Sequence, residues 1–242
     1  MFGYSSLGVL PLTDLHQHTN FSPCGVDVSV SKNPFVAYEK GLKIIALTDH
    51  GFCKKPSWLE KYFKDISAVR KSSPVEVLSG IEVNVDYDGK PVVDLSILKQ
   101  FDVVVAAVHK YPRELRGAEL YDWWRRILAR VAEENFALVL AHPTDIGWFK
   151  LRPPLEYCLE VIDAIIENGL VVELNYHHKD PSDYFLKLCI DRGVLITPTS
   201  DAHLLSEIGN LEWHKSRVER LGYSVDEVNW LSERKLYSRL NL

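Results

Sequence analysis

Seven short apolar runs recur along the chain: VLPLTDLH (9–16), LKIIALTDH (42–50), VEVLSGIEV (75–83), DVVVAAVH (102–109), ALVLAHP (137–143), GLVVELN (169–175) and GVLITPTSD (193–201). Each is rich in β-branched residues and nearly continuous in its hydrophobicity. That suits strands buried on both faces of a parallel sheet better than the half-exposed strands of a sandwich. Amphipathic segments separate them: NPFVAYEKG (33–41), PSWLEKYFKDISAVRK (56–71), GAELYDWWRRILARVAEEN (117–135), LEYCLEVIDAIIENG (155–169) and PSDYFLKLCIDRG (181–193). Several of these open on Asn, Ser or Pro and close on Gly, as helix termini do.

The alternation predicts an α/β fold, either a barrel or an open doubly wound sheet, and seven strands are enough to wrap. Neither G-x-G-x-x-G nor G-x-x-x-x-G-K-[ST] occurs to favour a nucleotide-binding open sheet. Trp123 and Trp124, with Leu120, Ile127, Leu128 and Val131, read as the packing stripe of one helix rather than a base-stacking surface. LEWHKSRVERLG (211–222) and SVDEVNWLSERKLYSRL (224–240) make residues 204–242 a set of terminal covering helices. No composition break or Pro/Gly-rich linker divides the chain, so residues 1–242 are expected to form one domain.

Polar residues interrupt these runs at one end. Asp14, His16 and His18 follow VLPLT; Asp49 and His50 follow KIIAL; Glu82 interrupts GIEV; His109 follows VVVAAV; His142 follows LVLA; Asp201 and His203 follow the last run. Burying so many polar groups separately is costly, whereas one shared polar centre lets them satisfy each other. In a parallel barrel the C-terminal strand ends all reach one face. Side chains two positions apart share a face, which pairs His16 with His18 and Asp201 with His203. Histidine nitrogens suit zinc, and carboxylates accommodate zinc or manganese and can bridge two ions.

DLHQHT (14–19), TDH (48–50), GIE (80–82), His109, AHP (141–143) and SDAH (200–203), in order over about residues 12–209, resemble the polymerase and histidinol phosphatase (PHP) domain family of metal-dependent phosphoesterases. The resemblance implies a distorted seven-stranded, TIM-like βα barrel with two or three divalent ions at its C-terminal face. Carried over by position, His16, His18, Glu82 and Asp201 hold the first ion. Glu82 bridges to a second held with His109 and His142, and His50 and His203 contribute to a third. The remaining ligand position, often histidine in the family, falls on Cys24 of SPCG (22–25). A thiolate is a strong zinc ligand, so Cys24 either replaces that histidine or leaves the third site weaker or water-coordinated.

The chemistry implied is attack of a metal-bound hydroxide on a phosphate ester, most readily a small phosphate monoester, with histidinol phosphate one candidate. Asp201 would hydrogen-bond the attacking water, and His203 or another metal-bound water would assist the departing alkoxide. Zinc or manganese is favoured, with iron or magnesium compatible. Asp14 and Asp49 are candidates to orient neighbouring imidazoles, since a ligating histidine donates its other nitrogen to an acceptor, although capping or loop hydrogen bonds explain them too. Lys110 and Arg113 are placed to receive substrate phosphate; Lys54, Lys55 and Arg116 are further cations that solvation explains as well. Glu173 and Asn175 are candidates to support the site, and His177 and His178 to line its entrance, against a plain polar loop. Cys53 lies near the second strand end, while Cys158 and Cys189 fall in helix patterns and read as core.

Composition narrows the alternatives. The 242 residues are 46% hydrophobic with a formal charge of −5, enough for a sizeable core and without a general electrostatic funnel for nucleic acid. A DNA or RNA phosphodiesterase or exonuclease is therefore the alternative to a phosphatase of small phosphorylated metabolites. A metal-stabilised regulatory or binding module with little turnover is the third reading. The four cysteines form no C-x-x-C pair, the N-terminus lacks a leader pattern, and no window approaches the roughly 20 apolar residues of a membrane helix. These features lead to the expectation of a cytoplasmic protein without a membrane partner.

Overall fold

All seven runs form strands, with boundaries displaced by one to a few residues. In the computed structural model, which describes residues 10–240, they are β1 (Thr13–Gln17), β2 (Ile44–Gly51), β3 (Glu76–Asn84), β4 (Val103–Ala107), β5 (Val139–Leu140), β8 (Val171–Asn175) and β9 (Ile196–Thr199). Val9 of the first run, the N-terminal stretch read for a leader, and Asn241 and Leu242 lie outside the described residues. The strands pair in parallel in the order β1-β2-β3-β4-β5-β8-β9. β9 returns to β1 only beyond its end, where Asp201 N donates to His16 O at 2.7 Å and His18 N to Ala202 O at 3.1 Å. The product is a distorted parallel barrel whose seam is stitched at the C-terminal face.

The helices follow the amphipathic segments: α1 (Asn33–Glu39), α2 (Leu59–Val69), α4 (Gly117–Glu134), α5 (Leu155–Asn168) and α6 (Asp183–Asp191). A single turn, α3 (Leu95–Leu98), and a hairpin of β6 (Asp145–Ile146) and β7 (Phe149–Lys150) have no counterpart among the expected elements. Neither is long enough to show a period. Trp123, Trp124, Ile127, Leu128 and Val131 of α4 are buried against α5 and the barrel wall, the packing role expected of that stripe. Among the described residues no helix is long and apolar enough to cross a membrane.

The period of two within each strand makes the barrel interior apolar below and polar above. Leu78 lines the interior of β3, with Gly80 and then Glu82 above it on the same face; in β4, Val103, Val105 and Ala107 lead up to His109. A Cβ on Gly80 would meet Thr48 Cγ2 at 2.4 Å and the carbonyls of Leu47 and Val103 at 3.2 Å, so only glycine fits beneath Glu82. At the opposite end Leu231 and Leu236 join the interior cluster, and Leu231 N donates to Ile196 O at 2.8 Å. The helical part of the C-terminal cover is divided into α7 (Leu211–Arg220) and α8 (Glu233–Leu240), separated by a 3-10 turn at Val225–Glu227 and extended chain; Leu236 of α8 plugs the barrel floor.

Candidate metal centre

The strand tops bring His16, His18, His50, Glu82, His109, His142 and Asp201 into one cluster, in which His16, His18, Glu82, His142 and Asp201 are buried. Glu82 divides the histidines between its two oxygens. Oε2 lies 3.6 Å from His16 Nε2, 3.5 Å from His18 Nε2 and 2.6 Å from His50 Nδ1, whereas Oε1 lies 3.2 Å from His109 Nε2 and 3.3 Å from His142 Nε2. Asp201 closes the first group, with Oδ1 3.4 Å from His16 Nε2 and 2.9 Å from His18 Nε2. His142 and Asp201 adopt left-handed backbone with φ of 46° and 51°, uncommon for non-glycine residues and a form of strain found at functional sites.

Four histidine rings are turned by the same device, an oxygen acceptor at Nδ1 that leaves Nε2 directed into the cluster. His16 donates to Glu173 Oε2 at 2.9 Å, and His203 to the Asp201 carbonyl at 2.8 Å. His109 donates to Asn84 Oδ1. His18 donates to Ser22 Oγ at 2.9 Å, because the Ser22 hydroxyl is itself committed to Asp49 Oδ1 at 2.6 Å. Outer partners that fix the tautomer in this way are characteristic of metal-ligating histidines.

The donor set fits divalent ions. His16 Nε2 is buried without a hydrogen-bond partner and faces the carboxylates of Glu82 and Asp201, which is expensive unless a cation completes the set. Tetrahedral bonds of about 2.0–2.2 Å place neighbouring ligand atoms about 3.3–3.6 Å apart. Most of the spacings around Glu82 and Asp201 fall there. His18, Cys24 and His50 also each offer an atom within 4.8 Å of the others, as do His18, Asp201 and His203. Divalent-metal dependence follows from this geometry.

The acid–base properties agree. Burial opposes the charge on Glu82, but His50, His109 and His16 hold its carboxyl well below the usual range; Asp201 is likewise lowered, by His16 and His18 against burial. Burial also disfavours charge on His50 and His142, yet Glu82 raises them to about 10 and about 9. His18 is drawn down to about 3 by burial and stays neutral. At pH 8 without metal, His16, His50 and His142 therefore carry protons that an incoming ion must displace. Zinc binding should release protons and should weaken as pH falls below about 9. Calorimetry in buffers of contrasting ionisation enthalpy will show a buffer-dependent heat, and a buffer-independent heat would contradict the assignment.

Not every candidate has the expected surroundings. Asp14 accepts from Gln17 Nε2 and Ser200 N, both at 2.9 Å, and so ties β1 to the chain after β9 instead of orienting an imidazole. Asp49 reaches His18 only through Ser22, while also accepting from Thr19 N and Oγ1. The direct orienting role belongs to Glu173, which Thr199 Oγ1 and Asn175 Nδ2 hold in place at 2.9 and 2.6 Å. Cys24 lies half-buried beside His50 and His203; burial would raise its thiol, but hydrogen bonds from those histidines bring it down to about 7. Lys110, Arg113, Lys54, Lys55 and Arg116 are exposed, as is Cys53, whereas Cys158 and Cys189 are buried in α5 and α6. His177 donates to Glu207 Oε1 at 2.8 Å, and Glu207 also accepts from His203 N. Ser22, Asn84, Asp145 and Glu207 were not singled out from the sequence, since their roles arise from loop geometry.

A model of the PHP domain matches residues 14–177. A probable phosphatase of Thermoanaerobacter sp. (strain X514) is 28% identical over 229 residues, covering 89% of this chain and 88% of the relative. A probable phosphatase of Caldicellulosiruptor bescii is 31% identical over 186 residues, covering 73% of each. Among solved structures, one assigned as a histidinol phosphatase from Listeria monocytogenes aligns with a TM-score of 0.61 at 14% identity, covering 81% of this chain and 97% of that one. A chain of an archaeal ribonuclease P with mature tRNA aligns at 0.60 and 10% identity, covering 94% and 89%. At these identities the structural matches report the fold alone.

Proposed function

We propose, for a chain that belongs to the PHP domain family and is a metal-dependent phosphoesterase, that its substrate is the phosphate monoester of a small phosphorylated metabolite. The phosphoester chemistry is supported by the division of five histidines between the two oxygens of Glu82, an arrangement suited to two ions. His16, His18, Glu82 and Asp201 would hold one ion, and Glu82, His109 and His142 a second. When bound, the ions, zinc or manganese by the donor chemistry, lower the pKa of water and offset charge on the phosphate.

The chain's own groups position the reactants. Asp201 Oδ2 accepts from Asn175 Nδ2 at 3.0 Å, so its carboxylate is fixed where it can orient an attacking water. With Nδ1 given to the Asp201 carbonyl, His203 has Nε2, beside Cys24, to ligate a third ion or pass a proton to the leaving alkoxide, but not both at once. Its place beside Cys24 and His50 favours ligation. Lys110 and Arg113, exposed just beyond β4, are free to swing toward a phosphate. The net charge of −5 supports a small substrate over a nucleic-acid strand, which needs an extended cationic track.

Ligation by Cys24 has its own test. With a thiol near pH 7 it should alkylate readily with iodoacetamide in metal-free protein, and zinc should slow that reaction at least about tenfold while leaving exposed Cys53 unaffected. Equal rates with and without zinc would remove Cys24 from the ligand set.

The substrate class is tested by loading the protein with zinc or manganese and comparing small phosphomonoesters, histidinol phosphate among them, with short 5′- and 3′-phosphorylated oligonucleotides. Preferential phosphate release from the monoesters is expected. Internal or processive cleavage of the oligonucleotides would overturn the substrate class and leave the metallohydrolase intact.

A further inference from the structure

We propose that His178 is an additional metal ligand, binding an ion through Nε2 together with His142 and Asp201. This deepens the reading of the same centre and rests on its being metal-loaded. His178 follows β8 and looks from sequence like part of a polar loop, yet it is buried and its ring is fixed on every side. Nδ1 lies 2.9 Å from Asp145 Oδ2, and Lys150 Nζ holds that carboxylate at 2.6 Å. The flat faces are filled by His142, stacked at 4.3 Å and 21°, and Trp148, stacked at 4.5 Å and 25°. The backbone is anchored as well, since His178 N donates to Asn175 Oδ1 at 2.7 Å.

This leaves one free vertex. With the Nδ1 proton given to Asp145, Nε2 presents a lone pair 3.5 Å from Asp201 Oδ2. Two acceptors facing each other in a buried site repel unless a cation lies between them. The spacing is also that of His16 Nε2 to Asp201 Oδ1, 3.4 Å, and of His18 Nε2 to Glu82 Oε2, 3.5 Å, pairs assigned above to an ion. His142, His178 and Asp201 each offer an atom within 4.8 Å of the other two. A carboxylate behind a histidine whose second nitrogen faces a ligand set is the usual outer support of a metal site.

The β6–β7 hairpin accounts for this grip. Asp145 and Lys150 are cross-strand partners in it, and Trp148 lies at its turn with φ of 66°. Gly147 beside it has φ of 55°, and a Cβ there would meet the His109 carbonyl at 2.7 Å, so the hairpin is seated directly on another strand top of the centre. It supports His178 from outside just as Glu173 supports His16 from below.

Metal release from the purified, zinc-loaded protein tests the assignment independently of turnover. Zinc content is followed by mass spectrometry against a graded chelator for the native chain, His178→Asn and Asp145→Asn, with folding checked by circular dichroism. The expected result is that one ion leaves His178→Asn at least about a hundredfold more readily, with a change of about 10–100-fold for Asp145→Asn. Unchanged release from folded His178→Asn would overturn the proposal. Should that variant fail to fold, nitrogen-15 histidine spectra of the native chain decide. A His178 Nε2 resonance that moves on zinc loading supports ligation, and one that does not move overturns it. Lack of activity on every ester, with zinc release altered as expected, would instead count against the function proposed above.

Discussion

Replacing Glu82 by glutamine will lower kcat/KM by about three orders of magnitude, the scale on which loss of one preorganised electrostatic group is felt. The amide fills the same space but offers only one oxygen, so it can face His16 and His18 or His109 and His142, not both sets. The buried charge that balances the surrounding histidines is lost as well. Metal content should fall by one ion while the circular dichroism spectrum is retained. A variant that keeps both ions and more than a tenth of its activity would show that Glu82 does not bridge.

Stripping the ions will have the second large effect, on stability. An ion present at about 100 times its dissociation constant stabilises the native chain by about 2.7 kcal/mol, so two together contribute about 5 kcal/mol. For a chain of this size each kcal/mol moves Tm by about 2–4 °C, which gives a fall of about 10–20 °C on chelation. The difference should shrink as pH falls, because His50 and His142, raised to about 10 and about 9, take up protons in competition with the ions. Scanning calorimetry of loaded and chelated protein checks both statements. Equal Tm values across pH would mean that the cluster is satisfied without metal.

The barrel and its metal-facing residues were legible because both depend on short-range regularities. A β-branched apolar run marks a buried strand wherever it occurs, and a charged or imidazole side chain at its end is anomalous in the core. Glu82 and His109 could thus be placed on one face from their strands alone. The supporting contacts, for the opposite reason, were legible only in part, through Glu173 and Asn175. Asp49 is adjacent to His50, and adjacent side chains on extended chain point to opposite faces; Asp14 lies two residues before His16, but its carboxylate is taken up by Gln17 Nε2 and Ser200 N, so neither touches the neighbouring ring. Glu173 on β8, 157 residues from His16 along the chain, does. His178, Asp145 and Lys150 come together through a hairpin of two-residue strands that carries no periodic signal. One cue was available, since ELNYHH puts a glutamate and two histidines after a strand top, but a polar loop explains the same letters.

The proposed chemistry requires Glu82 to join two ions at the barrel mouth. Crystals grown with manganese or zinc and measured at the metal's absorption edge test this most directly. Two anomalous peaks about 3.5–4 Å apart on either side of the Glu82 carboxylate are predicted, one toward His16 and His18 and the other toward His109 and His142. A single peak away from Glu82, or none in the cluster at full metal loading, would contradict it.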